Sequence, residues 1–257
     1  MSSFLKKVKS AIASLITLPF IGECIRNRPG NHLNKHGLKF DLSNKIISAR
    51  DIGFFYWGLY EKAEIKFINK YLSNHMAETV VELGGSLGIV SCVIASRLLP
   101  GQQLTVVEAN PNLPPIIEKN LQLNGFENVR VINAAVPLTN AKEVFFEVNT
   151  SSLLGRIVSG RTPHSVVVPC RKLSDIVEDG KEFILVCDIE GAEVGLLEND
   201  ASVLSRAKLI IIETHNAVYN GNKITYIEIK KRFLDKGFEL LDEHGAVYVL
   251  KKRDHVS

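Results

Sequence analysis

The sequence predicts an α/β fold in which a mostly parallel β-sheet is covered by helices on both faces. Short apolar runs typical of buried strands alternate with longer segments of helical periodicity over most of the chain. A glycine-rich turn joins the first of these runs to a helix, and two short runs near the C-terminus predict an antiparallel hairpin. Together these patterns indicate a parallel sheet that ends in an antiparallel pair.

The elements follow one another in a legible order. Residues 38–42 alternate like a strand, and residues 60–72 predict a helix. The first three core strands are predicted at residues 79–83, 104–108 and 129–134, with the intervening helices ending near Leu99 and Asn124.

The pattern changes after the third core strand. Residues 144–148 and 166–170 predict two added strands around a Ser/Gly/Thr-rich segment at residues 149–163. A long loop in a compact domain is usually functional or disordered, so we interpret this segment as a lid or a substrate-side insertion.

The second half of the sheet is predicted from the last third of the chain. The fourth and fifth strands lie at residues 183–187 and 209–212, and a helix covers about residues 224–236. A closing hairpin pairs residues 238–241 with residues 246–250 through a turn at His244-Gly245. Because the sequence shows neither a linker nor a repeat, we predict one domain at residues 51–257, preceded by an extension at residues 1–50.

The extension begins with a predicted amphipathic helix. Three lysines precede an apolar run at residues 11–21 that is too short to span a bilayer and lacks an Ala-x-Ala-like cleavage site. Apolar side chains recur at helical spacing, at Phe4, Leu5, Val8, Ile12, Leu15 and Ile16. We expect the helix to pack on the domain, and peripheral contact with an anionic membrane surface is the alternative.

Composition excludes some functions and suggests a compartment. The 257 residues are 46% hydrophobic and 23% charged, as in ordinary globular proteins, and a net charge of +3 gives no indication of nucleic-acid binding. The four cysteines are scattered without a Cys-x-x-Cys pair, and three lie in apolar stretches. A reduced, cytoplasmic compartment is therefore expected.

The glycine-rich turn indicates the type of cofactor. Glu82 ends the first strand, and Gly84, Gly85 and Gly88 follow, which differs from the Gly-x-Gly-x-x-Gly spacing of dinucleotide sites. A carboxylate before the turn would repel a pyrophosphate, but it suits the ammonium group of S-adenosylmethionine. Glycines there would let the backbone turn and come close to a ligand.

A second carboxylate supports the same hypothesis. Glu108 ends the second strand, where an acidic residue accepts hydrogen bonds from ribose hydroxyls in nucleotide-binding α/β folds. The alternative is that Glu82 and Glu108 merely flank their strands. The two carboxylates at this spacing favour cofactor binding.

An ordered series of sequence blocks resembles the FkbM-type methyltransferases. The blocks are Gly58-Leu-Tyr-Glu61, Val107-Glu-Ala-Asn-Pro111, residues 118–125, residues 128–135, Asp188-Ile-Glu-Gly-Ala-Glu193 and Ile212-Glu-Thr-His215. The resemblance implies a Rossmann-like class I methyltransferase fold with a seven-stranded sheet. It also implies S-adenosylmethionine as cofactor and usually a hydroxyl acceptor, often on a sugar or a polyketide-like product. Family members commonly have Asp and Gly-Ala-Asn where this chain has Glu82 and Gly84-Gly85-Ser86.

The candidate site is assembled from the carboxyl ends of the strands, where open α/β sheets bind their ligands. The candidate cofactor residues are Glu82, Gly84, Gly85, Ser86, Gly88, Glu108, Ala109, Asn133 and Ala134. Asn133 could receive the adenine amino group, or its side chain could instead close the local loop.

The fourth and fifth strands supply the candidate catalytic residues. Methyl transfer to a hydroxyl needs a proton acceptor, and the candidates are His215, Asp188 and Glu190, with His215 expected near its ordinary pKa. A Mg²⁺ ion held by Asp188 and Glu213 is an alternative that we do not favour. These acids could also cap helices, and a structural role is preferred for Glu193.

Three functional hypotheses follow. The favoured one is an O-methyltransferase that acts on a small-molecule or glycan acceptor, such as a saccharide precursor or another hydroxylated metabolite. The second is a catalytically silent domain that binds S-adenosylmethionine and serves as a scaffold. A nicotinamide oxidoreductase is disfavoured by the glycine spacing.

Overall fold

The computed structural model describes residues 18–28, 30, 32–74, 77, 79–148 and 155–253. The predicted amphipathic helix at residues 4–16 and residues 149–154 of the predicted insertion lie outside the described residues. Before the central sheet, the described residues form three helices and a two-stranded hairpin: α1 (Pro19–Arg26), β1 (His32–Lys35), β2 (Leu38–Asp41), α2 (Ala49–Trp57) and α3 (Lys62–Tyr71).

The first half of the central sheet alternates strand and helix as expected. Its elements are β3 (Thr79–Leu83), α4 (Ile89–Ala95), β4 (Gln103–Glu108), α5 (Pro114–Leu123) and β5 (Val129–Asn133). The insertion that follows contributes three strands, β6 (Glu143–Glu147), β7 (Arg156–Val158) and β8 (Ser165–Pro169), which form a separate antiparallel sheet in the order β7-β6-β8.

The second half returns to the central sheet. It contains β9 (Phe183–Cys187), α6 (Glu193–Asn199), α7 (Ala201–Leu204), β10 (Ala207–Glu213), the small hairpin of β11 (Ala217–Tyr219) and β12 (Asn222–Ile224), α8 (Tyr226–Asp235), β13 (Phe238–His244) and β14 (Val247–Lys252).

The central sheet has seven strands in the order β13-β14-β10-β9-β3-β4-β5. The five strands from β10 to β5 are mutually parallel, and β14 is antiparallel to both of its neighbours. The predicted fold is therefore confirmed. Because the chain builds outwards from β3 in one direction and then restarts at β9 on the other side, strand order reverses between β3 and β9. Ligands of such sheets bind at this position.

Helices cover both faces of the sheet, as predicted. Val80 belongs to a core cluster that includes Ile68 of α3 and Ile117 of α5, whereas Val81 belongs to a cluster that includes Leu196 of α6 and Phe233 of α8. Successive side chains of a strand point to opposite faces, so both faces of β3 are buried. This explains why the core strands are continuous apolar runs.

The hairpin of β1 and β2 adds to the first of these clusters. Leu33, Leu38, Phe40 and Ile47 are buried there together with residues of the central sheet. The predicted strand at residues 38–42 is confirmed as β2, and its partner β1 was not predicted. The domain boundary at residue 50 stays a prediction.

Cys92, Cys170 and Cys187 are buried and free, which confirms that they behave as small apolar residues, while Cys24 is exposed. Within the described part of the chain, none of the helices combines the length and apolar character needed to cross a bilayer.

Candidate active site

A cavity of about 290 Å³ lies at the carboxyl ends of the parallel strands, where strand order reverses. Nine of the residues that the sequence singled out line it: Gly84, Ser86, Glu108, Ala109, Ala134, Asp188, Glu190, Glu213 and His215. Glu82, Gly85, Gly88 and Asn133 are not among its lining residues. The predicted cofactor and catalytic residues therefore meet in one cavity, with four exceptions.

Glu108 joins the glycine-rich turn to the end of β4. Its carboxylate accepts hydrogen bonds of 2.7 Å from the backbone N–H groups of both Ser86 and Asn110, and the residue is 6% exposed. Burial raises the pKa of Glu108, and these backbone donors oppose the rise. A carboxylate held in this way at the cavity wall has lone pairs left for hydroxyl donors.

Glu82 lies behind the cavity and not in its wall. It is 1% exposed and borders a smaller cavity that Glu61, Glu64 and Asp188 also line. Burial raises the pKa of Glu82 to about 8, although the nearby Ser91 hydroxyl opposes the rise. Neither carboxylate oxygen has a hydrogen bond of good geometry among the described residues.

Gly84 lies against the backbone that follows β9, and it also lines the cavity. Its φ is +92°, and a Cβ at this position would lie 1.8 Å from the carbonyl oxygen of Asp188. A Cβ on Gly88 would likewise meet the backbone of Ile117 in α5, at 2.9 Å. Because these contacts are within the protein, the glycine spacing reports how the turn packs.

The side chain of Asn133 makes local hydrogen bonds, which is the alternative to adenine binding that the sequence left open. Its side-chain amide donates to the carbonyl oxygens of Glu108 and Ala109, at 2.8 and 3.2 Å. The backbone of Ala134 continues into the cavity wall. The side chain of Asn133 therefore closes the β4 and β5 strand ends, as a loop-forming amide does.

The insertion, which the sequence analysis interpreted as a lid or a substrate-side element, forms part of the cavity wall through residues that were not among the candidates. Phe146 of β6 and Ile157 of β7 line the cavity, and Ala109 packs against the small cluster that contains Phe146. The insertion thus adjoins the predicted cofactor end of the cavity. The strand β6 was predicted from the sequence, but the surface that it covers was not.

His215 is positioned by Glu193, for which the sequence had favoured a structural role. The Nδ1 atom of His215 lies 3.0 Å from Oε1 of Glu193, which is fully buried at the start of α6. The same oxygen accepts a 3.1 Å hydrogen bond from the backbone N–H of Gly191. A buried carboxylate bound to one ring nitrogen fixes the orientation of the imidazole.

The other ring nitrogen of His215 faces three carboxylates. Its Nε2 atom lies 3.6 Å from Glu190 Oε2, 3.8 Å from Asp188 Oδ1 and 3.8 Å from Glu213 Oε1. The three candidate catalytic residues are therefore brought together at the cavity, and Glu213 joins them.

These neighbours change the protonation of His215. Burial alone would lower the pKa of the imidazole, but the hydrogen bond to Glu193 and the charges of Glu193, Asp188 and Glu190 outweigh burial and raise the pKa to about 9. The imidazole therefore carries a proton at neutral pH. This differs from the expectation that His215 would titrate near its ordinary pKa.

Two further carboxylates belong to the site and were not among the candidates. Burial and the charge of Glu213 raise the pKa of Glu61 to about 7, and burial and the charge of Glu61 raise the pKa of Glu64 to about 10. Glu61 lines the main cavity, and the Glu64 carboxyl group lies against Glu213. The block at residues 58–61 pointed to Glu61, but no sequence pattern placed it opposite β9 and β10.

Two overlapping groups of side chains could hold a cation. Oxygen atoms of Glu61, Asp188 and Glu213 lie within 4.8 Å of one another, and so do ligand atoms of Asp188, Glu190 and His215.

The sequence matches the methyltransferase FkbM domain over residues 82–250. No curated protein matches the chain. Among solved structures, the N-terminal domain of EvdMO1 with SAH bound superposes with a TM-score of 0.50 at 12% identity, covering 91% of this chain and 96% of that domain. The full EvdMO1 chain gives a TM-score of 0.47 at 12% identity over 95% of this chain.

The match with the full EvdMO1 chain covers 47% of its length, so this chain spans about half of that protein. The mitomycin 7-O-methyltransferase MmcR gives a TM-score of 0.40 at 13% identity, covering 80% of this chain and 57% of that one. At these identities the likeness shows the fold alone. The domain match, in contrast, covers more than half of the sequence. The chain therefore belongs to the FkbM methyltransferase family and has the fold of S-adenosylmethionine-dependent methyltransferases.

Proposed function

We propose that the protein transfers a methyl group from S-adenosylmethionine to a hydroxyl oxygen of a saccharide or another hydroxylated metabolite. The observation that supports this proposal is that His215, oriented by Glu193, opens on the same cavity as Glu108. One cavity thus offers an acceptor for ribose hydroxyls and, beside the imidazole, the carboxylates of Asp188 and Glu190, which can take a proton from the methyl acceptor.

The residues present suit this cofactor. S-adenosylmethionine supplies an electrophilic methyl group on a positively charged sulfonium, and its methionyl end carries an ammonium group. The cavity wall contains the carboxylates of Glu61, Glu108, Asp188, Glu190 and Glu213. Opposite charges within a few ångströms attract strongly in a partly buried site, so this wall favours a cationic ligand.

Methyl transfer to a hydroxyl oxygen sets two requirements for the protein. The acceptor oxygen must lie about 3–3.5 Å from the methyl carbon, on the side opposite sulfur, so that the C–O bond forms as the C–S bond breaks. The hydroxyl proton must leave at the same time. We assign its acceptance to the carboxylates of Asp188 and Glu190, which lie 3.8 and 3.6 Å from the Nε2 atom of His215. The His215 imidazole, protonated at neutral pH, donates a hydrogen bond that orients the acceptor oxygen. Glu193 holds the imidazole in place.

The test is methyl transfer to a panel of hydroxylated compounds, with S-adenosylhomocysteine release as the readout. His215→Ala is expected to lower kcat by about 10²–10⁴-fold and to leave cofactor affinity nearly unchanged, because the imidazole acts on the acceptor. His244→Ala, which removes an exposed histidine on β13, is the control. A fully active His215→Ala enzyme contradicts the assigned role of His215. Cofactor binding without transfer to any acceptor supports a silent scaffold, and transfer to amines only refutes O-methylation.

A further inference from the structure

We propose that the protein binds a divalent metal cation through the carboxylates of Glu61, Asp188 and Glu213. The three side chains come from separate parts of the fold: Glu61 precedes α3, Asp188 follows β9, and Glu213 ends β10. One oxygen of each lies within 4.8 Å of the others. The inference extends the proposed function, but metal binding can be measured without any methyl acceptor.

The charge around these three residues is strongly unbalanced. Eight carboxylates of the described residues surround or adjoin the cavity, namely Glu61, Glu64, Glu82, Glu108, Asp188, Glu190, Glu193 and Glu213. In the described part of the chain, every ion pair that these carboxylates make comes from His215. Arg156, which also lines the cavity, pairs with Glu147 instead. Like charges this close repel one another, and either bound protons or a bound cation relieve the repulsion.

Buried oxygens without hydrogen-bond partners point to the same place. Glu64 is 4% exposed, and its Oε1 has no partner among the described residues although the carboxylate lies against Glu61 and Glu213. Glu82 is 1% exposed, and both of its oxygens lack partners in the small cavity that it shares with Glu61 and Asp188. Buried polar atoms are nearly always satisfied, so unsatisfied ones in a native site need an explanation. For Glu64, which lies against two of the three proposed ligands, a cation among Glu61, Asp188 and Glu213 provides one.

The donor set indicates the class of metal. Three carboxylates offer only oxygen, which hard cations such as Mg²⁺, Mn²⁺ and Ca²⁺ prefer. Ligands on opposite sides of such an ion stand about 4–5 Å apart, twice the metal–oxygen distance. The 4.8 Å limit on the observed oxygens meets this requirement. Because all three residues line the main cavity, the remaining coordination positions face the space where the acceptor binds.

The experiment measures binding of Mn²⁺ to the full chain after removal of metal with a chelator. Electron paramagnetic resonance of free Mn²⁺ gives the affinity and stoichiometry, with and without saturating S-adenosylhomocysteine. We expect one Mn²⁺ per chain, displaced by Mg²⁺ or Ca²⁺. Glu61→Gln and Glu213→Gln should each weaken binding about tenfold or more. Glu198→Gln, which removes a carboxylate paired with Arg232 outside the cluster, should leave it unchanged.

The variants are expected to fold, because each removes one charge from a cluster of like charges, and circular dichroism with thermal melting checks this. Three results overturn the proposal. The first is no Mn²⁺ bound by the wild-type chain at about millimolar concentration. The second is unchanged Mn²⁺ affinity in a folded Glu61→Gln/Glu213→Gln double variant. The third is loss of S-adenosylhomocysteine affinity in these variants without any Mn²⁺ site, which would assign the carboxylates to the cofactor. Absence of methyl transfer would affect only the proposed function.

Discussion

Glu108 is the residue that best tests the cofactor end of the cavity. Its carboxylate already holds the N–H groups of Ser86 and Asn110, so it is fixed at the cavity wall before any ligand arrives. Hydrogen bonds from two ribose hydroxyls to a charged acceptor contribute about 1.5–3 kcal/mol. Glu108→Ala should therefore weaken S-adenosylhomocysteine binding about tenfold or more, measured by calorimetry on folded protein. Glu118→Ala, on the exposed face of α5, is the control. An unchanged dissociation constant would refute the ribose assignment.

Gly84 gives a prediction about stability at the residue scale. A Cβ there would lie 1.8 Å from the Asp188 carbonyl oxygen, whereas a Cβ on Gly101, which also has positive φ, meets nothing within 4 Å. Gly101→Ala should lower the free energy of unfolding by about 1 kcal/mol, which is the cost of a positive φ in a residue other than glycine. Gly84→Ala must also displace β9, and we expect a loss of about 3 kcal/mol or more in the free energy of unfolding. Urea denaturation of both variants checks this, and equal losses would show that the turn adapts around the new methyl group.

At the scale of elements, Asp41 connects the N-terminal hairpin to α5 through a hydrogen bond and an ion pair. Its backbone N–H donates to Oδ1 of Asn120, and its carboxylate pairs with Lys119 at 2.5 Å and accepts from the N–H of Ser43. Burial would raise the pKa of Asp41, but Lys119 and Ser43 outweigh it and lower the pKa below its usual range. The folded carboxylate therefore loses its proton more readily than the unfolded one.

A depressed folded pKa stabilises the protein above the unfolded pKa, near 4, and the stabilisation is lost as pH falls through the folded value. Asp41→Asn should lower the free energy of unfolding by about 1–2 kcal/mol at pH 7. The difference from wild type should shrink below about pH 4, as followed by urea denaturation at several pH values. Asp179→Asn, on an exposed turn, is the control. A difference that is constant with pH would show that the carboxylate charge contributes nothing.

The elements that the sequence predicted well are those with both faces buried. Strands β3, β4 and β9 are continuous apolar runs because helices cover each side, and such runs are visible without any partner. The short strands β7, β11 and β12 were missed, since three residues are too few to show a period. The predicted helix at residues 224–236 started too early, because Ile224 pairs with Ala217 in the small hairpin.

The candidate site, too, could be predicted from the sequence only in part. Parallel strands bring their carboxyl ends to one edge, so Glu108, Asp188 and Glu213 could be collected from the order of strands alone. The pairing of His215 with Glu193 depends on how the start of α6 faces β10, which no local pattern encodes. Glu61 was recognised in a sequence block, but its place opposite the two strand ends required the tertiary structure.

On the scale of the whole molecule, the first prediction concerns whether the segment before residue 18 packs on the domain or binds a membrane surface. Leu18 and Phe20 are 47% and 76% exposed, an apolar surface that the predicted helix at residues 4–16 would cover if it packs on the domain. We therefore expect neither the full chain nor a variant lacking residues 1–17 to sediment with vesicles containing anionic lipid. Sedimentation of the full chain alone would instead establish a membrane-surface helix.

The segment from residue 18 to residue 50 poses the second question, because it shares a core with the central sheet. Leu33, Phe40 and Ile47 are at most 5% exposed in the cluster that contains Val80, and a Cβ on Gly22 of α1 would overlap the Ala49 carbonyl oxygen at the start of α2. Burying a large apolar side chain contributes about 1.5–3 kcal/mol, so losing three removes a free energy comparable to the whole stability of a marginally stable domain. A chain that starts at residue 51 should therefore lack a cooperative thermal transition, whereas one that starts at residue 18 should keep it. If the shorter chain melts cooperatively and binds S-adenosylhomocysteine, the methyltransferase domain begins at residue 51 and the hairpin is an independent addition.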